Sequence, residues 1–314
     1  MIMMRLLKYI RLIRKNPDIA LQAAKAFILA NIFNKKVIRG AEVAVTYRCQ
    51  GKCEKCSCRS LIDETRSEMT IEQILKVCRK ISGAGAILIN ITGGEPLLRK
   101  DIMEIIKQIS TLPILVSLTT NGFLLDEDLI KNLKLAGLDV IQVSLSSPFE
   151  EEHDKDIGLP GSYQRVLSAI ETAKRYGLEV LINTVVTREV LYSKRIVELI
   201  AIAKKYNSFL SLILPAKVGG WAGKDVGLNL KDYKAISKLL KNKFVTTDTE
   251  SCYRRGMCPA GTEKVYISPY GDIYPCPFIQ RSYGNVLKDD LVRLWENMPH
   301  LVHKGCINIK ESLE

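Results

Sequence analysis

Ala86-Ile87-Leu88-Ile89-Asn90-Ile91-Thr92-Gly93-Gly94-Glu95-Pro96 is the stretch from which the architecture can be read. A continuous branched-aliphatic run that ends in glycines reads as a buried parallel strand whose carboxyl end opens into a site. Paired glycines let the backbone approach a ligand that a Cβ would block, and Pro96 fixes the turn that follows. Working outward, strand-like and helix-like segments alternate on both sides. The expected strands are Glu42 to Tyr47, Ala86 to Thr92, Ile114 to Thr119, Val140 to Leu145, Glu179 to Val186 and Phe209 to Leu214. Helix-start signals fall between them: Thr70-x-x-Gln73 as a capping box, then Asp101, Asp126 and Ser162. Six βα units in series predict a parallel sheet with helices outside, and ligands at the carboxyl ends of the strands.

One βα unit before that strand lies Cys49-Gln-Gly-Lys-Cys53-Glu-Lys-Cys56. Three thiolates in one short loop can hold three corners of a [4Fe-4S] cube and leave the fourth iron without a protein ligand. A zinc knuckle is the alternative, although zinc more often uses two separated C-x2-C pairs. The two motifs together resemble the radical S-adenosylmethionine (SAM) enzymes. In that family SAM occupies the open iron through its amino and carboxylate groups, and the GGEP segment lines the pocket for its methionine part.

That resemblance implies an open (β/α)6 partial barrel in which the reduced cluster cleaves SAM to methionine and a 5′-deoxyadenosyl radical. The radical then abstracts hydrogen from an unactivated carbon, with a reduced ferredoxin or flavodoxin-type protein as electron donor. It assigns Gly93, Gly94, Glu95 and Pro96 to the SAM pocket. The polar strand ends Thr119-Thr120-Asn121-Gly122, Ser144-Leu145-Ser146-Ser147 and Asn183-Thr184 add Asn121, Ser144, Ser146 and Asn183 as cofactor contacts. Two departures stand out. Lys55 occupies the place, just before the third cysteine, where relatives usually carry an aromatic residue near the adenine. Ser146 and Ser147 replace the Asp-Gly of an S-L-D-G segment, and for Ser147 and His153 turn chemistry is expected instead of a substrate role.

Beyond a helix expected from Asn229 to Leu240, the chain turns rich in Cys, Gly, Pro and Tyr. Lys264 to Ser268, a Pro269-Tyr-Gly-Asp272 turn and Ile273 to Cys276 predict a hairpin that brings Cys258 and Cys276 together. This element resembles the opening of the SPASM and twitch domains appended to many radical SAM enzymes. With Cys252 and Cys306 it implies four ligands for one auxiliary [4Fe-4S] cluster, a zinc site being the alternative. Cys78 reads as a buried helix residue, and no role is assigned to Cys58.

Composition limits the remaining choices. The chain has 314 residues, enough for one large core domain and a small appendage. The expected division is an arm over residues 1–40, a barrel over 41–228 and a cluster domain over 229–314. Nine cysteines without a secretory signal point to metal or redox chemistry in the cytoplasm. Of the net charge of +12, the first forty residues hold +8, with nine basic side chains against Asp18 alone. The near balance elsewhere counts against a nucleic-acid binder. The arm reads as two helices separated by Asn16-Pro17-Asp18, with Ile2, Leu6, Tyr9, Ile10 and Ile13 on one face of the first. It fits an anionic membrane surface or a packing element on the catalytic domain, and the charge excess favours the membrane. The substrate classes carried forward are a lipid or isoprenoid and a peptide, with transfer RNA third. A non-enzymatic electron carrier is the contrasting class, and an open iron argues against it.

Overall fold

The computed structural model describes residues 17–247 and 258–299. The helix expected around Ile2 to Ile13 lies outside the described residues, and the first described helix, α1 (Pro17–Asn31), starts on the proline expected to open it. Six strands follow in the expected places: β1 (Gly40–Thr46), β2 (Leu88–Gly93), β3 (Leu115–Thr120), β4 (Val140–Ser144), β5 (Glu179–Val185) and β6 (Phe209–Ile213). Between them run α2 (Ile71–Gly83), α3 (Ile102–Ile109), α4 (Glu127–Leu135), α5 (Glu150–Ile157), α6 (Ser162–Arg175), α7 (Arg188–Leu191) and α8 (Lys194–Lys205). Neighbouring strands from β1 to β6 are all parallel, as a chain of right-handed βα crossovers requires. The result is an open, partial barrel.

The helix-start signals work in different ways. Thr70 and Gln73 form the reciprocal capping box of α2, and Asp126 accepts from the Leu129 amide at the start of α4. Asp101 does not cap α3. Its carboxylate is held by both arms of the Arg99 guanidinium, at 2.8 and 2.7 Å. Ser162 is the first residue of α6, not its cap, because its hydroxyl lies 3.2 Å from His153 Nε2.

The central residues of the strands alternate, while apolar residues such as Leu115 and Val140 fill both faces near the strand starts. Val43, Ile89, Ile91, Val116, Leu118, Ile141, Val143, Ile182 and Leu210 point to the helices and join one core, so that each contributes about 1.5–3 kcal/mol by leaving water. The other face carries Glu42, Asn90, Ser117, Thr119, Gln142 and Asn183, a period of two from the apolar set.

The sheet is longer than six strands. After α9 (Leu230–Leu239), whose Asn229 cap is reciprocated by Asp232, β7 (Val245–Thr247) adds beside β6. The C-terminal hairpin, β8 (Lys264–Ile267) and β9 (Ile273–Tyr274), adds at the other edge, with β8 parallel to β1. The order is β7-β6-β5-β4-β3-β2-β1-β8-β9. The segment expected as an appended domain therefore supplies strands to both edges, and α10 (Leu291–Asn297) follows with Leu291 and Trp295 in the common core.

Candidate active site

β1 ends at Thr46, and two residues later the chain enters the cysteine loop. That loop is tied to its surroundings on several sides. The Lys52 amide donates to the Ile157 carbonyl at 2.8 Å, Lys55 Nζ pairs with Asp156 at 3.1 Å, and Glu54 pairs with Lys224. Arg59 donates to the Cys53 carbonyl at 3.1 Å, and the Gly220 amide to the Cys56 carbonyl at 2.9 Å. Lys55, which stands where an aromatic residue was expected, thus anchors the loop to the end of α5.

The donor set fits an iron–sulfur cube. The Cys49 sulfur accepts from the Gly51 amide at 3.3 Å and lies 3.9 Å from Asn121 Nδ2, and such donors stabilise sulfur that carries negative charge. Burial pushes the Cys53 thiol up to about 11 and raises that of Cys49. Cys56 moves down, chiefly through the hydrogen bond with the Cys58 thiol. Burial thus works against bare thiolates at Cys49 and Cys53, and iron would have to displace their protons on binding. Among the described residues no group of three His, Cys, Asp or Glu side chains is placed to hold a single metal ion.

Gly93 and Gly94 are required by the packing of the backbone around them. A Cβ on Gly93 would sit 2.0 Å from the Thr46 carbonyl oxygen, and one on Gly94 would sit 2.4 and 2.5 Å from those of Arg48 and Tyr47. The missing side chains let β2 lie against the backbone that leads into the cysteines. Glu95 is fully buried. Its carboxylate accepts from Thr120 Oγ1 at 2.8 Å, from the Asn121 amide at 2.8 Å and from the Leu97 amide at 3.1 Å. Burial raises its carboxyl above the ordinary range, while these three donors hold the anionic form. Glu95 thus fixes the end of β3 to the end of β2 and sets Asn121 beside Cys49. Pro96 opens a short 3-10 turn. Arg99 closes the group by donating to the Val45 and Met69 carbonyls at 2.7 and 3.0 Å.

A second glycine pair escaped the sequence reading. Gly219 and Gly220, after β6, press on the cysteine loop so closely that a Cβ would meet the Cys56 oxygen at 2.2 Å and the Glu54 oxygen at 1.8 Å. The signal was the same as at Gly93-Gly94, paired glycines after a strand.

The strand-end residues divide into two groups. Asn121 reaches the cysteine loop, with Gln50 Nε2 donating to its Oδ1 at 3.4 Å. Ser144 lies opposite Asn183 in the β4–β5 register, and Asn183 Nδ2 donates to Gln142 Oε1 at 3.1 Å. Gln142 continues the row by donating to Ser117 at 2.9 Å and to Asn90 at 3.3 Å, and Thr119 donates to Asn90 at 3.1 Å. Ser146 is engaged elsewhere: its amide and its hydroxyl both lie 3.2 Å from His153 Nδ1.

His153 is fully buried between the end of β4, α5 and α6. Desolvation pulls it down to about 4 from the ordinary 6.5. A histidine held neutral in the fold contributes stability above pH 6.5 that is lost as pH falls toward 4, in all about 3 kcal/mol. Denaturant titrations between these limits are expected to show that slope, and His153→Gln should flatten it. An unchanged slope would show that His153 is not the group responsible.

The C-terminal hairpin is bound tightly to the cysteine region. Tyr47 and Tyr266 share a hydroxyl–hydroxyl hydrogen bond of 2.8 Å, Arg66 pairs with Asp272, and Gln280 Nε2 donates to the Ser57 carbonyl at 2.7 Å. Tyr266 faces Tyr274 across the hairpin. Beyond that pair Ala260 bridges Lys264, Cys276 bridges Ile279, and a Cβ on Gly261 would lie 3.6 Å from the Pro275 side chain. Cys258 and Cys276 thereby share the open end of the hairpin. Cys252 and Cys306 lie outside the described residues. Cys78 is buried in α2, and the Cys58 sulfur lies 3.6 Å from the Gly93 carbonyl.

Comparison with known proteins agrees with this geometry. The Radical SAM superfamily profile matches residues 43–207, and the SPASM profile, an iron–sulfur cluster-binding domain, matches residues 258–304. The chain is 24% identical over 283 residues to the AdoMet-dependent heme synthase of Methanosarcina barkeri, covering 81% of this chain and 80% of that one. It is 25% identical over 279 residues to the PqqA peptide cyclase of Granulibacter bethesdensis, covering 83% and 74%. Its fold superposes on Streptococcus suis SuiB bound to the precursor peptide SuiA with a TM-score of 0.71, at 19% identity, over 89% of this chain and 70% of that one. Three cysteines on a braced loop after β1, a glycine pair pressed against that loop and a cysteine-bearing hairpin at the sheet edge make this chain a member of the radical SAM superfamily, an enzyme of [4Fe-4S] and SAM chemistry with a SPASM-type auxiliary iron–sulfur domain.

Proposed function

We propose that the enzyme abstracts hydrogen from an unactivated carbon next to a polar group of its substrate, and that this substrate is a membrane lipid whose headgroup enters the barrel mouth. The observation that carries this reading is the polar row Asn90, Ser117, Thr119, Gln142 and Asn183 on the inner face of the sheet. Amides and hydroxyls joined in one network can exchange partners with a polar ligand, whereas a bare isoprenoid chain would leave them without replacement for the water it displaces. Bound at the cysteine loop, the cluster and SAM supply the 5′-deoxyadenosyl radical. Cys49, Cys53 and Cys56 are the proposed ligands of that cluster. Glu95, Asn121, Ser144 and Asn183 are the proposed cofactor contacts of the mouth, and the strand ends exclude water. Cys258 and Cys276, with Cys252 and Cys306, are the proposed ligands of the auxiliary cluster, which would accept the substrate electron or bind substrate when present. A reduced ferredoxin or flavodoxin-type protein is the proposed donor.

A second reading, a peptide-modifying maturase, is favoured by the likeness to the PqqA peptide cyclase and to SuiB with its precursor peptide. Deuterium transfer separates the two. Reduced enzyme is incubated with SAM and either vesicles of fully deuterated lipid or a fully deuterated peptide digest. Deuterium in the released 5′-deoxyadenosine is expected from the lipid. Label only from the peptide would transfer the assignment to the maturase, and label from neither would sink both readings.

A further inference from the structure

α1 is held to the body by a narrow side. Ile19, Ala26 and Ala30 are buried, and Gln22 donates to the Ser82 and Ala86 carbonyls at 3.1 and 2.7 Å. The opposite side is also apolar. Leu21, Ala24, Ile28 and Ile32 follow one another at the spacing that places residues on one helix face. Leu21 is 71% exposed, Ile28 45%, Ile32 72% and Phe33 62%. Phe27, half exposed, lies on α1 to the side of this face, and the other exposed large apolar side chains among the described residues, Ile62, Leu135, Tyr192, Val197, Leu230 and Val292, are scattered over separate elements. A helix whose buried side is mostly alanine and whose outward side holds leucine and isoleucine is turned the wrong way to serve the core.

We propose that this face of α1 docks on an anionic lipid bilayer. Charge complementarity selects the occupant. Lys25 and Asp18 are exposed at the edge of the patch, and the sixteen residues that precede α1 in the sequence contribute Arg5, Lys8, Arg11, Arg14 and Lys15 with no acid. An apolar helix face that follows a basic segment in the chain suits the interface plane, with its apolar side chains at the headgroup–acyl boundary and the basic residues against lipid phosphates. No helix among the described residues is long and apolar enough to cross a membrane, so the contact is peripheral. The proposal is independent of the substrate, because a membrane-docked enzyme can act on a lipid or on a peptide.

The test is flotation of the full chain with equimolar phosphatidylglycerol and phosphatidylcholine vesicles, and with phosphatidylcholine alone. Binding is expected to the anionic vesicles at about 0.1 M salt and to weaken strongly at about 0.5 M. Leu21→Glu/Ile28→Glu should lower the partition by at least about tenfold, while SAM cleavage by the reconstituted protein is unchanged, which shows that the variant is folded. Leu21→Ser/Ile28→Ser, without added charge, should weaken binding in the same direction. Indifference of the parent protein to anionic vesicles at low salt would overturn the proposal, as would undiminished binding by both variants. Light scattering without lipid covers the rival occupant: a dimer that the glutamate variant converts to a monomer would make this face a contact between copies of the chain.

Discussion

Cys53→Ala is expected to abolish the release of 5′-deoxyadenosine from SAM, even in the slow, substrate-free reaction of the reduced enzyme. Cys53 is one of three thiols in the braced loop, and its sulfur faces the Ile157 carbonyl. Removing it deprives the cube of a corner, and the remaining two thiolates cannot hold the other irons in register. Replacing Cys49, Cys53 and Cys56 together should reduce the iron of anaerobically reconstituted protein from about eight per chain to about four. The half that remains would belong to the C-terminal cysteines. Zinc in that half would remove the auxiliary cluster from the account. Continued 5′-deoxyadenosine release by Cys53→Ala would show that the loop is not the SAM site.

The next largest effect is expected from a single methyl group. Gly94→Ala places a carbon about 2.5 Å from two backbone carbonyl oxygens of the strand that delivers the cysteines, and Gly220→Ala places one closer still to the Glu54 oxygen. Neither neighbour is the free end of a side chain, so the cysteine loop itself must move. A displacement of about 1 Å at a reacting centre costs on the order of a hundredfold in rate. Both variants should cleave SAM at least about a hundredfold more slowly, with the larger loss of bound iron in Gly220→Ala. Gly223→Ala serves as the control, since nothing stands within 4 Å of its added carbon, although its left-handed backbone carries some strain. Near-normal cleavage by Gly94→Ala and Gly220→Ala would mean that backbone packing does not position the cluster loop.

The parallel core was legible because its determinants are local and periodic. Branched-aliphatic runs such as Leu88 to Ile91 and the Thr70–Gln73 box announce strands and helix starts without reference to anything distant. The cysteine loop was legible for the same reason, its three thiols falling within eight residues. What the sequence concealed depends on contacts far apart in the chain. The parallel pairing of β8 with β1 joins residues more than two hundred apart, and no local signal distinguishes an edge hairpin from a separate domain. Gly93-Gly94 was found, but the object that a side chain would strike is the backbone at Thr46 to Arg48, which only the β1–β2 register reveals. Ser146 was placed at the mouth by its position after β4, yet His153, seven residues on, engages both its amide and its hydroxyl. Glu95 belongs to the motif as expected, but burial turns it into a brace between strands.

The central claim is that the cluster held by Cys49, Cys53 and Cys56 has an iron open to SAM. Electron paramagnetic resonance of the reduced Cys258→Ala/Cys276→Ala variant isolates that cluster from the auxiliary one. Adding SAM is expected to change the g-values of the remaining [4Fe-4S] signal, because a new ligand binds one iron. A signal identical with and without saturating SAM would contradict the account.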